Sequence, residues 1–339
     1  MKVGIAQMAP VFLDRRATLA KVEVWIADAG ALGCELLAFG EALVPAYPVW
    51  LDRTDGARFE SDYQKQMHAR YLEQGVAIPA ADPRISSGTP QSGTVGSEPG
   101  TPGGDLAGVC EAAAAHGVAV VLGVAERALD RGGHSLFCSR VFIGGRGDDA
   151  GRVLSVHRKL MPTYEERLCW APGDGAGLVT HRVGAFTAGA LNCWENWMPT
   201  ARAALYAQGE DLHVMLWPGA ARLTRDLTRF VAREGRSFVV SAGALIREQD
   251  LPADLPDREG IASPGEVLYD GGSCIAGPDG KWVVEPVVGE ERLITAEFDH
   301  ATVLAERQNF DPAGHYARPD ILSLTLDRRR HVALQTRND

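Results

Sequence analysis

The sequence predicts a layered α/β fold. Three observations carry that expectation: apolar runs that read as buried strands recur along the chain, helical segments separate them, and a chemically loaded turn lies where one strand meets a helix. That turn is Gly189-Ala190-Leu191-Asn192-Cys193-Trp194-Glu195-Asn196-Trp197-Met198-Pro199-Thr200. Residues 186–191 are small and apolar, and Pro199 with the alanine-rich run behind it opens a helix. Cys193 therefore falls at a strand-to-helix turn. In open α/β sheets, side chains leaving the carboxyl ends of strands meet in a crevice, and helix N-termini aim N–H groups into it. A free cysteine more often packs as a small hydrophobe. The cluster Trp194, Glu195, Asn196, Trp197 favours a lined pocket and a nucleophile.

Length and charge bound the rest. With 339 residues, 45% hydrophobic and 23% charged, the chain can bury a large core as one big α/β domain or two ordinary ones. A formal net charge of −10, with no basic cluster beyond residues 328–330, argues against a nucleic-acid or anionic-membrane partner. A neutral or cationic small substrate suits it better. The N-terminus turns polar and Pro-bearing at residues 7–10, too early for a signal-peptide core, and no apolar run approaches membrane-spanning length. A cytoplasmic protein is expected. Cys34, Cys110, Cys138, Cys169, Cys193 and Cys274 lack C-x-x-C spacing or a clustered histidine, so neither a disulfide framework nor a zinc site is indicated.

Taken in order, residues 2–6 form a strand and residues 15–29 a helix, with Asp14 as cap and Gly30 and Gly33 as stops. Residues 35–39 form an apolar strand that delivers Glu41 at its carboxyl end. Pro45 and Pro48 forbid a helix after it. A lone strand-end glutamate is usually a solvated one. Residues 61–73 include a helix. Residues 77–104 interleave five prolines with Gly, Ser and Thr, a composition that buries too little to order itself, and read as a surface insertion. Residues 105–116 are a helix ended by Gly117, and residues 118–124 a strand leading to Glu126, for which neighbouring Arg127 offers a structural ion pair. Residues 135–143 and 152–156 make a hairpin around a Gly-Gly-Arg-Gly-Asp-Asp turn, and the return strand ends in His157-Arg158-Lys159.

After the turn at Cys193, residues 201–208 read as helix, 212–217 as strand, 223–234 as helix and 237–242 as strand. Glu234 looks like a buried structural carboxylate. Residues 273–276, 282–284 and 293–298 are short strands, with a Gly277-Pro278-Asp279-Gly280 turn between the first two. Residues 300–308 make a helix, and the tail ends in an alternating Leu-Ser-Leu-Thr-Leu strand at 322–326. No P-loop, Rossmann glycine triplet, repeat or metal motif occurs, so no cofactor and no metal is indicated.

Three stretches carry a family resemblance. Cys193-Trp194-Glu195, Phe39-Gly40-Glu41-Ala42-Leu43-Val44-Pro45-Ala46-Tyr47-Pro48, and His157-Arg158-Lys159-Leu160-Met161-Pro162-Thr163-Tyr164-Glu165-Glu166-Arg167 resemble the motifs of the nitrilase branch of the carbon–nitrogen hydrolase superfamily. Residues 232–242 and the tail from Phe310 are similar as well. The likeness covers nearly the whole chain apart from 77–104. It departs at Gly40, where the family usually has proline, and at Ala46, where it has glycine. The resemblance implies a four-layer α-β-β-α sandwich over residues 1–308, with 309–339 as a tail at the subunit interface. The insertion's counterpart lies near an intersubunit surface and the pocket mouth. It also implies subunits that pair helix face to helix face, as a homodimer or a larger spiral.

The same resemblance implies the site: Cys193 as nucleophile, Glu41 as general base, Lys159 as the cation that stabilises the charged intermediate, and Glu166, ahead of Glu165, as the second glutamate. The substrate implied is an organic nitrile. Tyr47, Trp50, Tyr164, Trp194 and Trp197 flank those residues in sequence and are candidate pocket walls, although buried aromatics are often only core. An amidase or carbamoylase would use the same four residues, and Trp194-Glu195 favours a nitrile over an amide. Cyanide-hydrating enzymes share that pair. A non-catalytic assembly protein would not need all four.

Overall fold

The computed structural model of the protein describes residues 1–78 and 104–332. The first sheet draws on β1 (Lys2–Gln7), β2 (Leu36–Ala38), β3 (Val76–Ala77), β4 (Ala119–Arg127), β5 (Leu136–Ile143) and β6 (Val153–Arg158). Helices α1 (Arg15–Ala31), α2 (Trp50–Arg53), α3 (Asp62–Glu73) and α4 (Ala107–His116) lie between these strands. The second sheet draws on β7 (His181–Val183), β8 (Phe186–Asn192), β9 (Leu212–Trp217), β10 (Phe238–Gly243), β11 (Leu245–Arg247), β12 (Val267–Ala276) and β13 (Trp282–Val288). With them run α5 (Pro199–Tyr206), α6 (Ala221–Gly235) and α7 (Arg258–Ile261). β14 (Arg292–Glu297) returns to the first sheet, antiparallel to β1, and α8 (His300–Arg307) follows.

The strand orders are β14-β1-β2-β4-β5-β6, with β3 against β4, and β11-β12-β10-β9-β8-β7, with β13 against β12. β1, β2 and β4 are parallel neighbours, as are β8, β9 and β10. Their alternation sets the layers. Val3, Ile5, Leu36, Ala38 and Val121 point inward against Ala188, Ala190, Leu212, Val214 and Val240 of the other sheet. The opposite face of the first sheet, through Leu37, Val120 and Leu122, takes Leu19, Val22 and Ile26 of α1 and Val109 and Ala113 of α4. On the second sheet, Met215 and Val239 take Leu227 and Val231 of α6, while Leu191 takes Ala201 and Leu205 of α5. The result is the four-layer α-β-β-α sandwich that the motifs imply.

Most elements fall within a few residues of their sequence boundaries, and the exceptions have physical causes. Asp14 caps α1 by accepting from the Ala17 N–H at 2.9 Å, but Gly30 does not stop that helix. A Cβ there would lie 2.7 Å from His116 Cβ, so Gly30 lets α1 approach α4. The tail strand at 322–326 is absent: among the described residues the segment has no strand beside it to complete a ladder, and Leu322 is 79% exposed. Glu126 is paired, but with Arg158 at 2.6 Å and not with Arg127. Glu234 is only half-buried and binds Arg202. All six cysteines are buried and free. The insertion lies outside the described residues but for its first two positions and its last. No described helix is long and apolar enough to cross a membrane.

Candidate active site

Glu41 sits two residues past Phe39, where the chain leaves β2 and crosses to the second sheet. Its N–H donates to Trp217 O at 3.0 Å. Gly40 makes the crossing feasible, because a Cβ would stand 2.9 Å from both Ala244 N and Trp217 O. Proline, usual in the family, would not fit this packing. Ala46, where the family has glycine, is held at φ 136°, a region that L side chains rarely occupy.

Cys193 follows β8 and opens a 3₁₀ turn, Cys193–Trp197, before α5. Its φ is 42°, a left-handed conformation that costs a non-glycine residue roughly 1–2 kcal/mol. The surrounding bonds hold it there. Asn196 Nδ2 donates to Cys193 O at 2.9 Å, Asn196 Oδ1 meets His213 Nε2 at 2.8 Å, and His213 Nδ1 meets Glu210 at 2.8 Å. Lys159 follows β6, with its N–H on Cys138 O. Glu166 lies in a second 3₁₀ turn, Tyr164–Leu168, where Oε2 accepts the Thr163 N–H at 2.6 Å.

These four side chains converge and are buried. Lys159 Nζ donates to Glu41 Oε1 at 2.8 Å and to Glu166 Oε2 at 2.7 Å. One oxygen each of Glu41 and Glu166 and the Cys193 sulfur lie within 4.8 Å of one another. These are metal-ligand types, yet the lysine ammonium already sits between the two carboxylates and supplies the positive charge. Glu41 Oε2 is buried and has no hydrogen-bond partner among the described residues. It is the oxygen left to take a proton.

Burial and like charge set the electrostatics. Burial pushes the Glu41 carboxyl up to about 7, with Lys159 pulling down and Glu166 pushing up. Burial, then Glu41, hold the Cys193 thiol well above its ordinary value, so the resting thiol carries its proton. Burial opposes the charge on Lys159, but Glu41, Cys193 and Glu166 outweigh it and raise the lysine. The arrangement is a protonated thiol, a base poised near neutral pH and a permanent cation.

The aromatic candidates separate. Tyr47 reaches the site: its hydroxyl donates to Glu166 Oε1 at 2.7 Å. Trp50 does not, because its ring is 1% exposed and packs edge-on against Tyr71 at 5.0 Å in the core. Trp194 and Trp197 pack edge-on at 5.8 Å and are 40% and 50% exposed, and Tyr164 is 76% exposed. Three neighbours carry no local signal in the sequence. Cys138, on β5, donates to Glu41 Oε1 at 3.5 Å. Trp170 and Tyr269 pack edge-on against Tyr47 at 5.6 and 5.3 Å. Only the pairing of distant strands brings them in.

A buried thiol at a strand end, a carboxylate base and a lysine between two carboxylates, set on a two-sheet sandwich, define a cysteine hydrolase. More specifically, the chain belongs to the carbon–nitrogen hydrolase family, whose model matches residues 2–308. It is an enzyme that hydrolyses carbon–nitrogen bonds other than peptide bonds. Over 328 residues it is 37% identical to Nitrilase 2 of an unknown prokaryotic organism, covering 96% of this chain and 92% of that one. It is 34% identical to an aliphatic nitrilase of Rhodococcus rhodochrous, covering 99% of this chain and 81% of that one. The solved carbon–nitrogen hydrolase of Helicobacter pylori G27 shares the fold at a TM-score of 0.62 and 15% identity, over 94% of this chain and 96% of that one. The resemblance to the nitrilase branch is thereby borne out.

Proposed function

We propose that this enzyme hydrolyses an organic nitrile to the carboxylic acid and ammonia, with Cys193 as the nucleophile. The observation that supports it most is the Lys159 ammonium held between Glu41 and Glu166 beside the thiol. The relatives' names point to the nitrile.

A nitrile carbon is a weak electrophile, so a sulfur nucleophile is preferable to a hydroxyl, and a thiol this far raised needs a base. Glu41 Oε2 takes the Cys193 proton as sulfur adds to the nitrile carbon and passes it to the nitrogen, which gives a thioimidate and restores the Glu41 carboxylate. Glu41 next removes a proton from water as it adds to that carbon. Lys159 stabilises the charge that develops. Glu41 returns the water's proton to nitrogen, the C–N bond breaks as the hydroxyl closes to a carbonyl, and nitrogen leaves as ammonia, giving a thioester. A second water, activated the same way, releases the acid and restores the thiol. Two waters are consumed per nitrile. Glu166 keeps Lys159 in place, and Tyr47 keeps Glu166.

Tyr47, Trp170 and Tyr269 supply a rigid aromatic wall on the Glu166 side, with Tyr164, Trp194 and Trp197 towards the outside. That favours a nitrile with an aryl or sizeable aliphatic group over cyanide, which is too small to use such walls. Ammonia release from phenylacetonitrile, a short aliphatic nitrile, cyanide and the matching amides tests the reading. Highest kcat/KM on an organic nitrile is expected. Turnover of amides alone would overturn it, and cyanide in first place would remove the wall argument.

We assign the enzyme to the cytoplasm and to a homo-oligomer in which the tail from 309 lies between subunits. Tyr316, Ile321 and Leu322, 60%, 65% and 79% exposed, support the assembly, because a lone chain gains nothing from presenting them to water. Sedimentation of the chain with and without the residues after 308 checks it. A wild-type monomer would contradict it.

A further inference from the structure

Glu195 belongs to the same turn as the nucleophile, yet its carboxylate points away from the thiol and into the protein. It is 1% exposed. Oε1 accepts the Leu160 N–H at 2.6 Å and lies 3.0 Å from His157 Nε2. Oε2 accepts the Asn192 N–H at 2.9 Å and lies 3.1 Å from the same imidazole nitrogen. Leu160 is the residue after Lys159, and Asn192 is the residue before Cys193. One carboxylate therefore joins the end of β6, in the first sheet, to the end of β8, in the second. His157 Nδ1 is buried and has no partner among the described residues, so the imidazole directs its bonding proton from Nε2 to Glu195.

We propose that Glu195 is a positioning residue that sets the distance between Lys159 and Cys193, with His157 fixing its orientation. The proposal rests on Cys193 being the nucleophile. The geometry needs both carboxylate oxygens. A glutamine offers one acceptor and one donor, and its donor would face a backbone N–H or the imidazole N–H, which breaks one of the two links. An aspartate keeps the charge but is one methylene short of spanning them. In either variant the Lys159 ammonium and the thiol are no longer held at a fixed spacing, and the lysine's stabilisation of the thiolate weakens.

A thiol readout separates positioning from charge. Cys193 faces Glu41, Lys159, Glu166, Tyr47 and Tyr269, while Glu195 faces His157 and the field of Arg140 and Cys138. Removing a negative charge by itself would ease thiol ionisation and move its alkylation to lower pH. Loss of the lysine's support moves it to higher pH.

The experiment follows iodoacetamide modification of Cys193 against pH, read on the Cys193 peptide by mass spectrometry, in the full-length wild type, Glu195→Asp, Glu195→Gln and His157→Asn. Steady-state kinetics run alongside. Expected for Glu195→Asp is a rise in alkylation displaced to higher pH by about half a unit or more, with kcat down about tenfold or more and KM within about threefold. Glu195→Gln moves in the same direction, and His157→Asn follows with a smaller shift. If Glu195→Gln does not fold, Glu195→Asp and His157→Asn decide. Wild-type profiles in these two, or a shift to lower pH, would overturn the proposal, because Glu195 would then act only as packing or as charge. The alkylation readout needs no nitrile. Should no nitrile be turned over while the upward shift appears, the substrate reading fails and the positioning role stands.

Discussion

The Tyr47 hydroxyl donates a 2.7 Å hydrogen bond to Glu166 Oε1, and Glu166 Oε2 in turn accepts Lys159. The loop that delivers the base thereby also secures the second carboxylate, so the positions of base and cation are coupled through one phenol. Tyr47→Phe leaves the ring in its contacts with Trp170 and Tyr269 but strands a buried carboxylate oxygen. A buried acceptor without its donor costs about 1–3 kcal/mol. We expect kcat to fall roughly tenfold and the melting temperature to drop, and steady-state kinetics with calorimetry check both. Wild-type kcat would mean that Glu166 does not depend on this bond.

The activity should depend on pH through Glu41. Its folded value is about 7, and the mechanism needs it ionised. Below that value the carboxyl is protonated and cannot accept from Cys193, so kcat/KM is expected to rise with pH through about 7 and then level. Cys138→Ala sharpens the test. The thiol of Cys138 is one of the groups that lower Glu41, so its removal should displace the acid limb upward. An acid limb left in place would show that the thiol does not act on Glu41.

The same burial makes the base a cost to the fold. A carboxyl at 4.5 in the unfolded chain and about 7 in the folded one holds its proton more tightly when folded. Below 4.5 both states are protonated and no penalty exists. As pH rises to about 7 stability is lost, and above that the full penalty remains, on the order of 3 kcal/mol at about 1.4 kcal/mol per unit. Glu41→Gln removes that titration. Its melting temperature should exceed that of the wild type at pH ~8, and the gap should close towards pH ~4.5. A lower melting temperature at the higher pH would mean that the pairing with Lys159 outweighs the burial.

Ala46 offers a stabilising substitution outside the chemistry. At φ 136° an alanine is strained by about 1–3 kcal/mol, and glycine relieves this while adding roughly 0.5–1 kcal/mol of unfolded-state entropy. Ala46→Gly should therefore raise the melting temperature by a few degrees. An unchanged or lower value would show that the loop gains from the methyl group, which packs against the Trp50 cluster.

The four candidate site residues were legible because each lies at or just beyond an element end whose apolar run is visible in sequence, and because the surrounding motifs resemble those of a known family. The layered α/β class was legible from the alternation of elements, and its two-sheet form only from the family resemblance. What was not legible is distance across sheets. Nothing near Cys138 in sequence announces that β5 places it under Glu41, and Trp170 and Tyr269 join Tyr47 only after the chain has folded. Trp50 shows the reverse error: it follows Glu41 by nine positions, but α2 turns its ring into the core against Tyr71. Alternation at 322–326 also misleads, because a strand requires a neighbour as well as a pattern.

The nucleophile is tested most directly by mass. Cys138 is a second buried thiol within 3.5 Å of the same base, so the assignment of the reaction to Cys193 is open to a sharp check. Acid-quenched enzyme and phenylacetonitrile, analysed as peptides, should show a thioimidate or thioester mass increment on the Cys193 peptide of the wild type. Cys193→Ala should remain folded, turn over nothing and carry no increment. An increment that persists in Cys193→Ala, on the Cys138 peptide or any other, would contradict the account.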